Sequence, residues 1–513
     1  MCSDLDGSTP SVKKSLEQVP SRKRATLLLA VGGYVNTAIA MLQTLLLIPL
    51  YLHYIGAHTY GLWLASGGIL GMLGMMNFGI GSMLIQRVSR SYSEKNFKRT
   101  AAYFFNGMVV YLVICLLFGL VGWAVSEFIP SILKVDGDDA VVLHGCFLLA
   151  VVAMVIAILN ECLRSFSQAL LRPVIPMVGM MAGRIIGIAV TVWMLYDEQG
   201  LWAIPVGTMV GECIIGMVSC FHVVLLFRQL KVKICADYQI IKEYVKTSPA
   251  LLMARMGDLL SRESEPLLIT LFLSPEVTTV YMITRKAADM VFQILSVLYG
   301  ASHSSFSHLV GEGDAEKTWG VASRLLLVTF VSSLLGFTTY AGLNESFVSL
   351  WVGEEFTLDY NVIFLVGCAF FVCSLRAMVW QLLNGLGDFV YTSIILMGEG
   401  LSRVALIVFG LNIFGVVGVP GALFVSCLLS LGVLGLRLKN MLLVNVKWEF
   451  VMRTLFSVLF LFGSVLLFSQ SLFNSESWGV FIMHAVALLG GGVTLLSALH
   501  YRVCMVYLKK GVL

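Results

Sequence analysis

The sequence predicts an all-α polytopic membrane protein of about 14 transmembrane helices. Composition, the spacing of apolar runs and the placement of positive charge predict it. Of 513 residues, 58% are hydrophobic and 12% charged, with a mean hydropathy of +0.89. Soluble domains carry about 25% charged residues, and a soluble fold of this length could not hide so much apolar surface. That excludes a soluble enzyme, a disordered chain and a nucleic-acid-binding domain. The net charge of +4 says little as a total; where the charges sit says more.

A helix needs about 20 mostly apolar residues to cross a bilayer. Fourteen runs qualify: 25–51, 59–86, 100–127, 140–163, 174–196, 201–227, 249–273, 277–305, 320–343, 360–384, 389–412, 415–436, 451–470 and 477–501. The loops between them are short, and the largest polar insert is 228–248. The first 24 residues are polar and the first apolar run is too long for a signal h-region, so no cleavable signal peptide is expected.

Loop Lys and Arg orient the chain, because they accumulate on the cytoplasmic side. The N-terminal tail, the even-numbered loops and the C-terminal tail together hold 26 of them, against Lys134 alone on the other side. Both termini are therefore expected in the cytoplasm, with an even number of spans. The seventh run carries Arg255, Asp258, Arg262, Glu263 and Glu265. If it did not cross, every later loop would invert and seven positive residues after 436 would move outside. The charge rule rejects this, so a charged helix crosses and must face protein or water rather than lipid.

Eleven cysteines form no CxxC pair or Cys/His cluster. Cys115, Cys146, Cys162, Cys213, Cys220, Cys368, Cys373 and Cys427 lie in or beside apolar runs and read as small buried hydrophobes. No Walker A loop, HExxH pair, nucleophile elbow or metal-ligand cluster occurs. No cofactor, metal or ATP hydrolysis is expected; the energy source is left among an ion gradient (H+ or Na+), the membrane potential and consumption of product.

The chain repeats. An offset of 218 aligns YIGAHTYGLW (54–63) with the hairpin at 272–282, and SEKNFKRT (93–100) with GEGDAEKT (311–318). At an offset of 215, GLWAIPVG (200–207) meets GVVGVPGA (415–422). MAGRIIG (181–187) matches GLSRVAL (400–406), which brings Arg184 over Arg403. Six crossings per repeat return the chain to the same side, so the repeats are parallel, about an axis along the membrane normal. The expected organisation is a cytoplasmic tail (1–24), a six-helix lobe (25–227), a cytoplasmic linker (228–248), a second six-helix lobe (249–440), and two extra helices with a cytoplasmic tail (441–513). In the linker, Ile234, Tyr238, Ile241, Tyr244 and Val245 fall at helical spacing, which suits a helix along the interface.

The stretches IPLYLHYIGAHTYGLW (48–63) and GMMNFGIGSMLIQRVSRSYSEKN (74–96) resemble the polysaccharide-transporter branch of the multidrug/oligosaccharidyl-lipid/polysaccharide superfamily, which includes O-antigen and other lipid-linked oligosaccharide flippases. The likeness covers about 25 to 440 by layout. It implies two six-helix lobes around a central cavity and no enzymatic activity. It also implies a bacterial inner-membrane location and, as partners, a lipid-linked oligosaccharide, membrane lipids and polysaccharide assembly enzymes, with no nucleic acid. The extra pair, 451–470 and 477–501, resembles one that lipid II flippases carry.

Intramembrane charge concentrates in the seventh and eighth runs. Arg255, Asp258, Arg262 and Glu265 are spaced by 3, 4 and 3, which puts them on one helical stripe. Arg285, Lys286 and Asp289 follow on the next run. Measured from the turn at Pro275, Glu265 and Arg285 sit at one depth, and Arg262 and Asp289 at another, so cross-helix pairs Glu265–Arg285 and Arg262–Asp289 are expected. Each lone charge at mid-membrane costs at least about 2.5–3.5 kcal/mol. The stripe therefore lines a polar cavity or holds the helices together by ion pairs; both readings stand, and the near balance of acid and base weakens an anion site. Arginine suits a phosphate because its fork donates two hydrogen bonds and keeps its proton.

Asn36, Gln43 and Asn77 are the polar marks of the first two runs, suited to sugar hydroxyls or to cross-linking helices. Pro49 and Pro266 are expected to bend the first helix of each lobe. Glu399 and Arg403, four apart, can neutralise each other; Arg184, Glu212 and Arg376 are further buried charges. The function expected is alternating-access export of a polyprenyl-pyrophosphate-linked O-antigen or exopolysaccharide unit. The alternatives are lipid II export, ion-coupled drug export, or a membrane polysaccharide polymerase or glycosyltransferase. The first run lacks the carboxylate that proton-coupled drug exporters carry, and the longest external loop, 344–359, offers acids without a nucleophile-and-base set.

Overall fold

The computed structural model describes residues 22–74, 80–230, 237–311, 314–442, 475 and 477–499, and every regular element among them is helical. We number fifteen α-helices: α1 Arg22–Tyr54, α2 Ala57–Leu73, α3 Ile80–Ser93, α4 Phe97–Ser126, α5 Ile129–Leu133, α6 Asp138–Ala169, α7 Val174–Tyr196, α8 Ala203–Leu230, α9 Tyr238–Phe272, α10 Pro275–Gly311, α11 Ala315–Val352, α12 Tyr360–Gly385, α13 Phe389–Phe414, α14 Gly418–Leu442 and α15 Trp478–Leu499. Each apolar run but one finds its helix; α2 and α3 share the second. The thirteenth run (451–470), Asn77 and the C-terminal tail lie outside the described residues. Eight described segments are long and apolar enough to cross a membrane, and one of them, Phe389–Leu442, holds both α13 and α14. The chain is an all-helical, multi-span membrane protein. The heavily charged α9 and α10 are not among those eight.

By packing, the described helices fall into two compact units: Met1–Gly56 with Ile69–Arg255, and Ala57–Gly68 with Met256–Leu513. In the first, α7 and α8 meet through glycine. A Cβ at Gly187 would stand 2.7 Å from the Gly207 carbonyl oxygen, so only a bare backbone permits the approach. Phe104, Phe166 and Phe227 stack where α4, α6 and α8 meet, with centroids 4.3–5.3 Å apart. In the second unit, α10 to α14 bury two apolar clusters, one around Tyr281, Phe370 and Met378, the other around Leu334, Phe337 and Cys427.

The linker differs from expectation. Its second half is no separate interfacial helix but the first turns of α9, which runs unbroken from Tyr238 to Phe272. The buried residues there are Ile240 and Tyr244, whereas Tyr238 is exposed. The Tyr244 hydroxyl donates to the Tyr103 carbonyl at 3.3 Å, the Asp237 amide donates to Asn106 Oδ1 at 3.0 Å, and Glu243 pairs with Arg87. Of the apolar residues named from spacing, Tyr244 is therefore buried beside polar partners on α3 and α4, while Tyr238 is left outside. The cysteine expectation also needs correction: Cys213 and Cys220 are exposed on α8 beside exposed Met217 and Phe221, because the outer face of a membrane helix is itself apolar.

The repeat reaches down to capping. Asn96 and Asp314, superposed by the 218 offset, are both N-caps: Asn96 Oδ1 accepts the Arg99 amide at 3.1 Å, and Asp314 Oδ1 accepts the Lys317 amide at 3.0 Å.

Candidate functional site

The charged residues of α9 and α10 form the candidate site. The Arg285 guanidinium is its hub: Nη1 donates to Glu265 across the helix pair, and Nε donates to Asp289 Oδ1, one turn along α10, at 3.1 Å. The Glu265 side chain is 1% exposed and that of Arg285 12%, so the pair is withdrawn from solvent, and Glu265 and Asp289 together face the guanidinium. The expected Glu265–Arg285 pair is present. Among the described residues Arg262 and Asp289 form no ion pair: Arg285 takes Asp289, and Arg262 places its guanidinium over the Phe292 ring, 6.0 Å from the centroid. A cation so placed meets the negative face of the ring. Lys286 is half-buried next to the network. Arg255 and Asp258 are placed on α9 by their backbone.

Two tyrosines enclose the hub. Tyr281, four residues before Arg285 on α10, and Tyr340 on α11 are both buried, and the Tyr340 hydroxyl donates to the Thr284 carbonyl at 2.9 Å. Pro266 directly follows Glu265 within continuous α9. Its missing N–H frees the Arg262 carbonyl one turn back. Pro49 sits inside α1 in the same way. Asn36 and Gln43 lie seven apart on one face of α1, in the first unit, and the Asn36 Oδ1 is buried with no hydrogen-bond partner among the described residues.

A second ionic cluster joins α12, α13 and α14. Glu399 pairs with Arg403 on its own helix, as i, i+4 spacing predicts, and with Arg376 Nε of α12 at 3.5 Å. Arg403 Nε donates to Ser426 Oγ at 3.0 Å. The first repeat carries a counterpart: Asn160 Nδ2 on α6 donates to Glu212 of α8 at 2.8 Å, and Arg184 on α7 lies within electrostatic reach of Glu212. Asn160 matches Arg376 at an offset of 216, and Glu212 matches Cys427 at 215.

Sequence reading missed one contact outside the membrane. His58 Nδ1 donates to Glu276 Oε1 at 2.5 Å, and the two are separated by 218 residues, the repeat offset itself. The Ser274 hydroxyl, then His58, then the local backbone amide hold the Glu276 carboxyl below its ordinary range. The contact is reciprocal. Thr279 Oγ1 donates to the Ala57 carbonyl at 2.7 Å, while Gly61 lies against the backbone of Pro275, and Ala57 and Gly61 are the repeat equivalents of Pro275 and Thr279. Residue i meeting j′ while j meets i′ is the signature of a two-fold relation. The hairpin alignment of 54–63 on 272–282 already contained the signal.

A bundle of long apolar helices that buries ionic networks defines a polytopic membrane protein. Solved structures share the fold. The lipid II flippase MurJ in an inward closed conformation matches with a TM-score of 0.71 at 10% identity over 93% of this chain and 100% of that one. A multidrug resistance MATE transporter of the MOP superfamily matches in its inward-facing conformation (TM-score 0.63, 11% identity, 86% and 100% coverage) and in its outward-facing conformation (0.58, 12%, 85% and 99%). At these identities the likeness is one of fold. The family model described as polysaccharide biosynthesis protein matches residues 69–357, more than half of the chain, and the chain belongs to that family. No curated protein matches.

Proposed function

We propose that this protein is a flippase that moves a polyprenyl-pyrophosphate-linked oligosaccharide, an O-antigen or exopolysaccharide repeat unit, across the bacterial inner membrane by alternating access. It performs no covalent chemistry. The observation that carries the reading is the site on α9 and α10: beside the closed Glu265–Arg285–Asp289 network stand two cations, Arg262 and Lys286, with no ion pair among the described residues. A pyrophosphate supplies the countercharge, and Arg262 gives it a two-pronged donor. Membership of a polysaccharide biosynthesis family and the fold of a lipid II flippase support a lipid-linked sugar over a drug. Both termini face the cytoplasm in this reading, and assembly enzymes for the polysaccharide act on either side of the step.

The test is a leaflet assay. Purified protein in liposomes receives a fluorescent polyprenyl-pyrophosphate oligosaccharide or lipid II, and exposure on the far leaflet is followed with a sugar-modifying enzyme. The expected result is acceleration over empty liposomes, reduced at least about tenfold in Arg262→Ala or Lys286→Ala, the loss of roughly one charged hydrogen bond. No acceleration with any sugar lipid defeats the proposal. Imposed H+ or Na+ gradients in the same liposomes identify the driving ion.

A further inference from the structure

Independently of any transported substrate, two thiols stand close enough to bond. Cys373 on α12 and Cys427 on α14 are 54 residues apart in the chain, yet their sulfurs are 2.6 Å apart. Both are free thiols. They are held there by a packed core: Cys427 is fully buried among Leu334, Phe337, Ala369, Val372 and Leu423, so the approach belongs to the helix packing rather than to a mobile surface. Cys373 is the more accessible of the two.

Two polar side chains also touch the Cys427 sulfur. Arg403 Nη2 donates to Cys427 Sγ at 3.1 Å, and Cys427 Sγ donates in turn to Glu399 Oε1 at 3.4 Å. Thiolate is the attacking species in thiol oxidation. Here a guanidinium lies against the Cys427 sulfur, and the Glu399 carboxylate accepts its S–H.

We propose that Cys373 and Cys427 are a disulfide-forming pair that ties α12 to α14 when a small oxidant of the peroxide class enters the bilayer. Cys373 meets the oxidant first: its sulfur attacks one peroxide oxygen, the O–O bond breaks, and water leaves a sulfenic acid. Cys427 thiolate then attacks that sulfur; the S–S bond forms, the S–O bond breaks and a second water leaves. Two thiols lose two electrons and two protons, and one hydrogen peroxide becomes two waters. A dithiol reverses the bond. Oxidation removes the S–H donor to Glu399, which the two arginines then hold alone.

The full-length protein in membrane vesicles is exposed to hydrogen peroxide, unfolded, alkylated with a maleimide and mapped by mass spectrometry. The expected result is a linked pair of peptides containing Cys373 and Cys427, two fewer alkylated thiols than before oxidation, and recovery with dithiothreitol. Cys373→Ser and Cys427→Ser should each yield no linked pair. An unchanged thiol count, a loss of thiols without that linkage, or a bond from either cysteine to a third one overturns the proposal. The wild-type map decides the matter even if a serine variant fails to fold.

Discussion

Arg285 shows how one side chain chooses between partners. Depth along the helices makes Glu265–Arg285 legible in the sequence, because both residues lie ten positions from Pro275. The same measure suggests Arg262–Asp289 and fails, since Asp289 stands one turn from Arg285 on the same helix and is taken at 3.1 Å. Breaking a buried pair on one side costs about 3–5 kcal/mol, while replacing both partners with apolar groups of similar volume is close to neutral. Arg285→Met is therefore expected to lower thermal stability sharply in detergent, and Glu265→Leu/Arg285→Met/Asp289→Leu, which removes all three charges of the network, to restore most of it. If the network serves transport, the triple variant stays slow in the leaflet assay although it is stable; a purely structural network would recover both. At Glu276 the sign of a pH effect follows from its depressed carboxyl. That contribution is fully present above the unfolded value of about 4.3 and is lost as pH falls through the folded value. Glu276→Gln is expected to unfold at a lower temperature than wild type near pH 7, with the gap closing below about pH 4.

At the scale of elements, apolar run length predicts the helices, because a bilayer leaves no other way to satisfy the backbone. Contacts between helices were less legible, since they depend on what the partner backbone allows. Glu399–Arg403 could be read from i, i+4 spacing, but Arg376 joins them from α12 through packing that one helix's sequence does not show. The α9 start is similar: apolar spacing named Tyr238 and Tyr244 alike, whereas a hydrogen bond to α4 goes with burial of Tyr244 and Tyr238 stays exposed. Glycines at helix crossings carry a sharper message. Any Cβ at Gly61 would run into the Pro275 backbone, and one at Gly68 into the Glu263 carbonyl, so α2 seats on α9 and α10 only where it has no side chain. Gly61→Leu should force α2 off this seat and cost about 1–3 kcal/mol or more, read as a fall in unfolding temperature. Gly67→Ala, where nothing lies within 4 Å, should have little effect.

At the scale of the whole molecule, the repeat is the feature that ties these observations together, and its strongest support is chemical. Equivalent positions cap α4 and α11, equivalent positions 58 and 276 touch, and two three-helix polar nodes recur at offsets of 215 and 216. The reciprocal contact of α2 with α10 also bears on topology, because both helices begin at it and must therefore start on the same side of the membrane. Composition alone would not count α9 or α10 as crossings, yet α2 follows the strongly apolar α1. With both termini in the cytoplasm, as proposed, the turn between α9 and α10 is external, on the side of Lys134. A membrane-impermeant maleimide applied to intact spheroplasts should label Glu276→Cys and Lys134→Cys above the parent protein, and should label Lys95→Cys and Lys317→Cys only after permeabilisation. A re-entrant α9–α10 pair would leave every later loop where it is but move position 276 inside, so labelling there separates two true crossings from a charged hairpin that dips into the membrane and returns.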